Sequence, residues 1–152
     1  MKIILLAIAM LLGMTACTSN SIESATNNKV TDEVAFEVAK NYFFKNDQQI
    51  PVSPKITTEE EFNKLFGMAT VMGEYGKPTS IDFTKQFVLA IVLPETDFAT
   101  EINPVKVEAK RDSLFYTYEV KTGEKQTFSI QPVSIILLDK QYEDNEVVLN
   151  EE

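Results

Sequence analysis

The sequence predicts an α+β domain: two short N-terminal helices, then a five- to six-stranded, mostly antiparallel sheet, strongly curled or closed into a small barrel. Three observations predict it. Two early segments place apolar residues at i, i+3, i+4 spacing, the period of a helix with one buried face. From residue 86 onward the chain changes to runs of β-branched and aromatic residues separated by Pro, Gly and Asp. The connections between these runs are short, which favours neighbouring strands in a meander. A length of 152 residues suits one such domain with a short appendage.

The appendage is an address. Met1-Lys2 is basic, residues 3–12 are an unbroken apolar run, and Gly13, Met14, Thr15 and Ala16 lead to Cys17. This is the order of a secretory signal peptide. The run is too short for a membrane span, which takes about 20 residues. Cys17 is the one cysteine of the chain, and Met14-Thr15-Ala16-Cys17 resembles the lipobox of bacterial lipoproteins. That resemblance implies cleavage before Cys17 and acylation of its sulfur and amine. Each acyl CH₂ buried in the membrane contributes about 0.8 kcal/mol, so two or three chains anchor firmly. The expected organisation is a signal peptide over 1–16, a lipidated Cys17 with a flexible polar tether over 17–30, and a single domain over 31–150. The expected location is the bacterial cell envelope, anchored by lipid at the outer membrane, on its periplasmic or surface face.

The domain opens at Thr31, which caps a predicted helix; Asp32 and Glu33 suit its positive end. Val34, Ala35, Val38, Ala39, Tyr42 and Phe43 supply its apolar stripe, and Asn46-Asp47 ends it. Residues 50–56 contain Pro51 and Pro54, which predicts an extended or edge segment. A second helix starts at Thr57-Thr58, where Thr57 with Glu60, or Thr58 with Glu61, makes a capping box. Phe62, Leu65 and Phe66 form its buried face, and Gly67 is the expected stop. Residues 87–93 are apolar throughout and predict a central strand buried on both faces, stopped by Pro94. Strands are then expected over 101–109, 114–120, 126–131, 133–138 and 146–149. Arg111-Asp112-Ser113 and Thr122-Gly123 are the expected turns.

Composition narrows the chemistry. The chain has 23 acidic and 14 basic side chains, a formal charge of −9, no His and no Trp. An acidic surface argues against nucleic acid, whose phosphates need cations. Without His there is no Ser-His-Asp or Cys-His nucleophile, and no zinc site of His and Cys. No phosphate-binding glycine motif is present. The expectation is a protein that is not an enzyme and uses no cofactor and no metal. Paired carboxylates and a Ser-Lys pair remain as catalytic alternatives. Asp82, Glu95, Asp97 and Glu101 gather around the ends of the predicted central strand, either as a solvated acidic rim or as a carboxylate pair, and Glu95, Asp97 and Glu101 could supply oxygen ligands for calcium.

Residues 67–80 are the most unusual stretch. Met68, Val71, Met72 and Tyr75 stand among Gly67, Gly73 and Gly76. The stretch is either a long loop or a Gly-interrupted edge strand; as a loop it either closes the end of the barrel or binds a partner. Met fills irregular pockets, Tyr is common at interfaces, and Gly lets backbones approach. Met68, Val71, Met72, Gly73, Tyr75 and Gly76 are therefore the candidate partner-binding residues. Phe98, an isolated aromatic in a polar segment, is a further candidate.

Three blocks carry a family resemblance. Ile56-Thr57-Thr58-Glu59-Glu60-Glu61-Phe62 with Leu65-Phe66 resembles the opening helix of the PrcB-like C-terminal domain. Ile81-Asp82-Phe83-Thr84-Lys85-Gln86-Phe87-Val88-Leu89-Ala90 resembles its central-strand block. Pro132-Val133-Ser134-Ile135-Ile136-Leu137-Leu138-Asp139-Lys140 resembles its last strand. The family often has a Gly-Gly-Tyr loop after the central strand, where this chain has Glu95-Thr96-Asp97-Phe98-Ala99-Thr100. The resemblance implies a lipoprotein subunit of a protease complex. A looser likeness, to staphostatin-like protease-inhibitor lipoproteins, implies a cysteine protease partner met by a Gly-containing loop, with Gly73 or Gly76 in that role.

Together these readings predict a non-catalytic, membrane-anchored lipoprotein. It binds, and inhibits or chaperones, a secreted or envelope protease. The alternative is a structural or interaction lipoprotein of the envelope with no protease link.

Overall fold

Phe87-Val88-Leu89-Ala90-Ile91-Val92 is buried at every position, and the architecture follows from covering both of its faces. A computed structural model describes residues 32–69, 72–73 and 76–152. The order is β1 (Asp32–Glu33), β2 (Glu37–Val38), β3 (Tyr42–Phe44), β4 (Lys55–Ile56), α1 (Glu59–Leu65), β5 (Phe66–Met68), β6 (Gln86–Val92), β7 (Thr96–Lys110), β8 (Ser113–Ile130), β9 (Val133–Asp139), a 3-10 turn (Lys140–Tyr142) and β10 (Glu146–Glu151). The first sheet has the order β1-β7-β8-β10, the second β2-β9-β6-β4, and β3 and β5 form a separate ribbon.

The second sheet is the middle layer. On one face Phe87, Leu89 and Ile91 of β6, with Ile136 and Leu138 of β9, meet Val107, Leu114, Tyr116 and Tyr118 of the first sheet. On the other face Val88, Ala90 and Val92, with Ile135 and Leu137, meet Phe44, Phe62, Leu65 and Phe66 of α1 and the ribbon. Alternate residues of one strand thus serve two cores, each large side chain contributing about 1.5–3 kcal/mol on burial. The outer face of the first sheet stays in water. Glu108 pairs there with Lys106 at 3.2 Å and Lys110 at 3.7 Å, and the Lys110 ammonium lies 4.9 Å from the centre of the Phe115 ring.

Several expectations hold. Thr58 caps α1 and accepts from the Glu61 N–H at 3.2 Å, with Phe62 and Leu65 buried. β4 lies at an edge, paired to β6. Lys110 pairs with Ser113 across the two-residue turn Arg111-Asp112, with Arg111 at φ 56°.

Others are corrected. The fold is mostly β, with one α-helix among the described residues and two open sheets, neither closed nor strongly curled. The α+β class with two N-terminal helices and a barrel does not stand. The predicted first helix is instead β1, β2 and β3, which pair with β7, β9 and β5. Val34 donates its N–H to Val107 O at 2.8 Å, and Ala39 donates to Ile135 O at 2.9 Å. Val34-Ala35-Phe36 and Val38-Ala39 are apolar almost without interruption, so a helical subset can be picked out of them without marking a helix. The segment delivers Val34 to one core and Ala39 and Phe44 to the other. Asn41, at φ 62°, stands in the left-handed region and no α-helix runs through it. A barrel fails for a related reason. A strand apolar on both faces needs a layer on each side, and a barrel wall would turn one face to solvent.

Gly67 does not end α1. Phe66 already has extended dihedrals, and Gly67 is the middle residue of β5. Nor does Thr122-Gly123 form a turn, because β8 runs through it to Ile130. A Cβ on Gly123 would stand 3.4 Å from Ala99 Cβ, so this glycine permits close approach to the neighbouring strand. β10 pairs in parallel with β8, and Glu146 lies opposite Ser113.

Candidate functional site

The Met- and Gly-rich loop is built on the β3–β5 ribbon. Phe43 lies opposite Gly67, and a Cβ on Gly67 would overlap the Phe43 ring. The outgoing leg is held where Ala69 donates its N–H to Asn41 O at 2.9 Å. The returning leg is fixed to the same strand. Lys40 N–H donates to Thr79 Oγ1 at 2.9 Å, Asn41 Nδ2 to Lys77 O at 2.9 Å, and the Tyr42 hydroxyl to Thr79 O at 2.6 Å. Both legs therefore converge on residues 40–42. Between them Gly73 takes φ 121°, a backbone that side chains rarely adopt, and Gly76 donates its N–H to Gly73 O at 3.1 Å.

Two apolar side chains leave the core here. Met68 is 65% exposed and Met72 is 105% exposed. Met68 lines a groove of about 440 Å³ whose apolar wall is Tyr42, Phe62, Pro78, Ile81 and Phe83 and whose rim carries Glu59, Asn63 and Lys77. The Phe62 ring packs against Tyr42 at 5.0 Å and Phe83 at 5.9 Å. Burial raises the Tyr42 hydroxyl above its ordinary value, so it remains a donor to Thr79. Gly76 is buried. Val71 and Tyr75 lie outside the described residues, as do Cys17 and the segments 1–16 and 17–30.

Phe98 is not part of this assembly. The returning leg of the loop enters β6 at its start, whereas Phe98 follows β6's end. Seven residues of strand span about 20 Å. Phe98 sits in a ribbon where β7 and β8 run past the rest of the sheet. Its N–H donates to Thr96 Oγ1 at 3.2 Å, and Thr100 Oγ1 donates to its carbonyl at 3.1 Å. Beside it Asp97 pairs with Lys125 at 2.8 Å. Phe98 is 41% exposed, and Phe128 on the facing strand is 59% exposed. Sequence reasoning missed Phe128 by placing it in an ordinary alternating strand. The signal was its neighbourhood: residues 119–127 offer almost nothing to bury except Val120.

The four carboxylates do not form one site. Asp82 stands at the start of β6. It accepts from Thr84 Oγ1 at 2.5 Å and the Thr84 N–H at 3.0 Å, and it pairs with Lys85 at 3.3 Å. The Thr84 hydrogen bonds, helped by Lys85, hold its carboxyl below the usual range. Glu95, Asp97 and Glu101 lie past the other end of β6, and Asp97 is committed to Lys125. Asp82 therefore forms no pair with the other three. Among the described residues no three metal-ligating side chains converge. No helix among them is long and apolar enough to cross a membrane.

One buried hydroxyl needs a structural account. The Tyr116 side chain is enclosed between the two sheets, and its oxygen makes no well-formed hydrogen bond. Burial pushes it up to about 12, an effect that neighbouring Ser134 only partly offsets. It lies in the inter-sheet core with Leu114, Ile136 and Leu138.

No protein-family model, curated protein or solved structure matches the chain.

Proposed function

We propose that this protein is a non-catalytic, membrane-anchored lipoprotein that binds a secreted or envelope protease, a cysteine protease or one of another class, and inhibits or chaperones it. The observation that carries the reading is the exposure of Met68, at the end of β5, and Met72, in the loop that follows, both legs of which are hydrogen-bonded to residues 40–42. A held loop loses less conformational entropy when it docks than a free one. Unbranched, polarizable Met side chains fill irregular pockets. Gly73, exposed, leaves its backbone open to close approach, whereas Gly76 is buried.

The lipobox at Cys17 supports the anchor, and the resemblance to the PrcB-like domain supports a protease as partner. Those two supports come from the sequence alone.

Affinity capture tests the reading. The full chain, tagged and immobilised, is exposed to envelope and culture fractions of the source organism. A bound protease whose activity falls with added protein is the expected result for an inhibitor. A protease bound and still active marks a chaperone or assembly subunit. An eluate of envelope proteins without a protease would replace this reading with that of a structural envelope lipoprotein.

A further inference from the structure

We infer that the free edge of β7, over residues 96–103, is a docking edge for an extended, basic segment of a partner protein, which adds there as a further strand. The inference does not rest on the protease reading, because a partner of any class with such a segment satisfies it.

The edge is open. β1 covers β7 only at Glu108 and Ala109, and Val34 reaches only Val107 O. Among the described residues no strand pairs with the outer edge of residues 96–103. An uncovered edge leaves unpaired N–H and C=O groups that template another strand. Protective devices are present, but elsewhere. Pro104 and the register shift between Pro104 and Lys106 blunt the edge just beyond this stretch. Between Thr96 and Thr100 the extra residues fall in β8, so β7 is the more regular strand of the pair. Phe98 stands exposed in the middle; its own N–H and C=O are already bonded to Thr96 Oγ1 and Thr100 Oγ1, so it offers a partner its ring, and the flanking residues offer the edge.

Charge selects the occupant. The two lysines of the arm are already committed, Lys121 to Glu119 at 3.1 Å and Lys125 to Asp97 at 2.8 Å. Glu95, Glu101 and, on β8, Glu124 are exposed, and among the described residues none of them forms a close ion pair, although Lys121 stands opposite Glu101 across the ladder. Residues 95–103 and 119–125 together carry five carboxylates against two lysines, so this stretch of β7 and β8 is net negative around Phe98. A segment with Lys or Arg at alternate positions would meet those carboxylates. A second copy of this chain would bring like charges against them, in a protein whose formal charge is −9.

A displayed library of random nonapeptides, selected on the full chain in mild detergent, tests this. Enrichment of Lys and Arg of at least threefold over the naive library is expected, together with at least a tenfold loss of affinity for the selected peptides in Glu95→Lys/Glu101→Lys. Phe98→Ser should give a comparable loss. The charge-reversed residues are exposed, so the thermal midpoint of that variant should match wild type and keep the comparison valid. Selected peptides with no basic enrichment, retention of affinity by both variants, or failure to select any binder would overturn the inference.

Discussion

Gly67 and Phe43 face each other across the β3–β5 ribbon, and the side chain that Gly67 lacks is the space the Phe43 ring occupies. This contact sets how closely the stem of the Met- and Gly-rich loop packs. Gly67→Ala should destabilise the fold by about 1 kcal/mol, because the partly exposed ring can swing aside at modest cost. Phe43→Ala should absorb most of that loss when the two are combined. A double-mutant cycle by denaturant unfolding checks the coupling, and strict additivity would remove the contact from the account.

Phe62 and Met72 lie in neighbouring parts of the chain and should behave oppositely. Phe62 is buried and packs against Tyr42, Phe66 and Phe83. Phe62→Ala should cost about 3–5 kcal/mol. Met72 is fully exposed, and Met72→Ala should stay within about 0.5 kcal/mol of wild type. Thermal or denaturant unfolding distinguishes them. A large loss at Met72 would return that side chain to a structural role.

Tyr116 makes stability fall at alkaline pH. Its folded value is about 12 against an ordinary 10, so the fold favours the neutral phenol. The contribution is fully present below pH 10 and is lost as pH rises through 12, because the unfolded chain ionises first. Tyr116→Phe removes the ionisation and the poorly partnered hydroxyl. It should leave stability at neutral pH unchanged or raised by up to about 1 kcal/mol, and flatten the alkaline limb. Unfolding followed between pH 8 and 12 reads both effects.

The cap of α1 should be measurable alone. Thr58 accepts from the Glu61 N–H at 3.2 Å and opens a helix of only seven residues. Thr58→Ala should cost about 1 kcal/mol, while Thr58→Ser should retain most of the stability. Equal losses in the two variants would show that the hydroxyl is not the relevant group.

Legibility in the sequence follows how local each cause is. The helix start at Thr57-Thr58, the edge segment ending at Ile56 and the turn at Arg111-Asp112 have local causes, and each is where the sequence places it, with the cap falling to Thr58 of the two threonines. Phe87 to Val92 declares two-sided burial by being apolar throughout. Residues 32–44 mislead because three distant strands capture them in turn. Gly67 and Gly123 read as stops, yet each is a point of close packing against a residue remote in sequence. The two candidate surfaces were joined in the sequence reading by composition alone. The length of β6 separates Phe98 from the leg by which the loop returns, and no spacing rule could show that.

The central claim is that the exposed methionines of the loop hold a protease. The most direct measurement is quantitative capture from envelope and culture fractions, with the wild-type full chain beside Met68→Ala/Met72→Ala on equal amounts of immobilised protein. The account predicts a protease in the wild-type eluate, reduced at least tenfold in the variant, with matching thermal midpoints. A protease recovered equally by both proteins, or by neither, would contradict it.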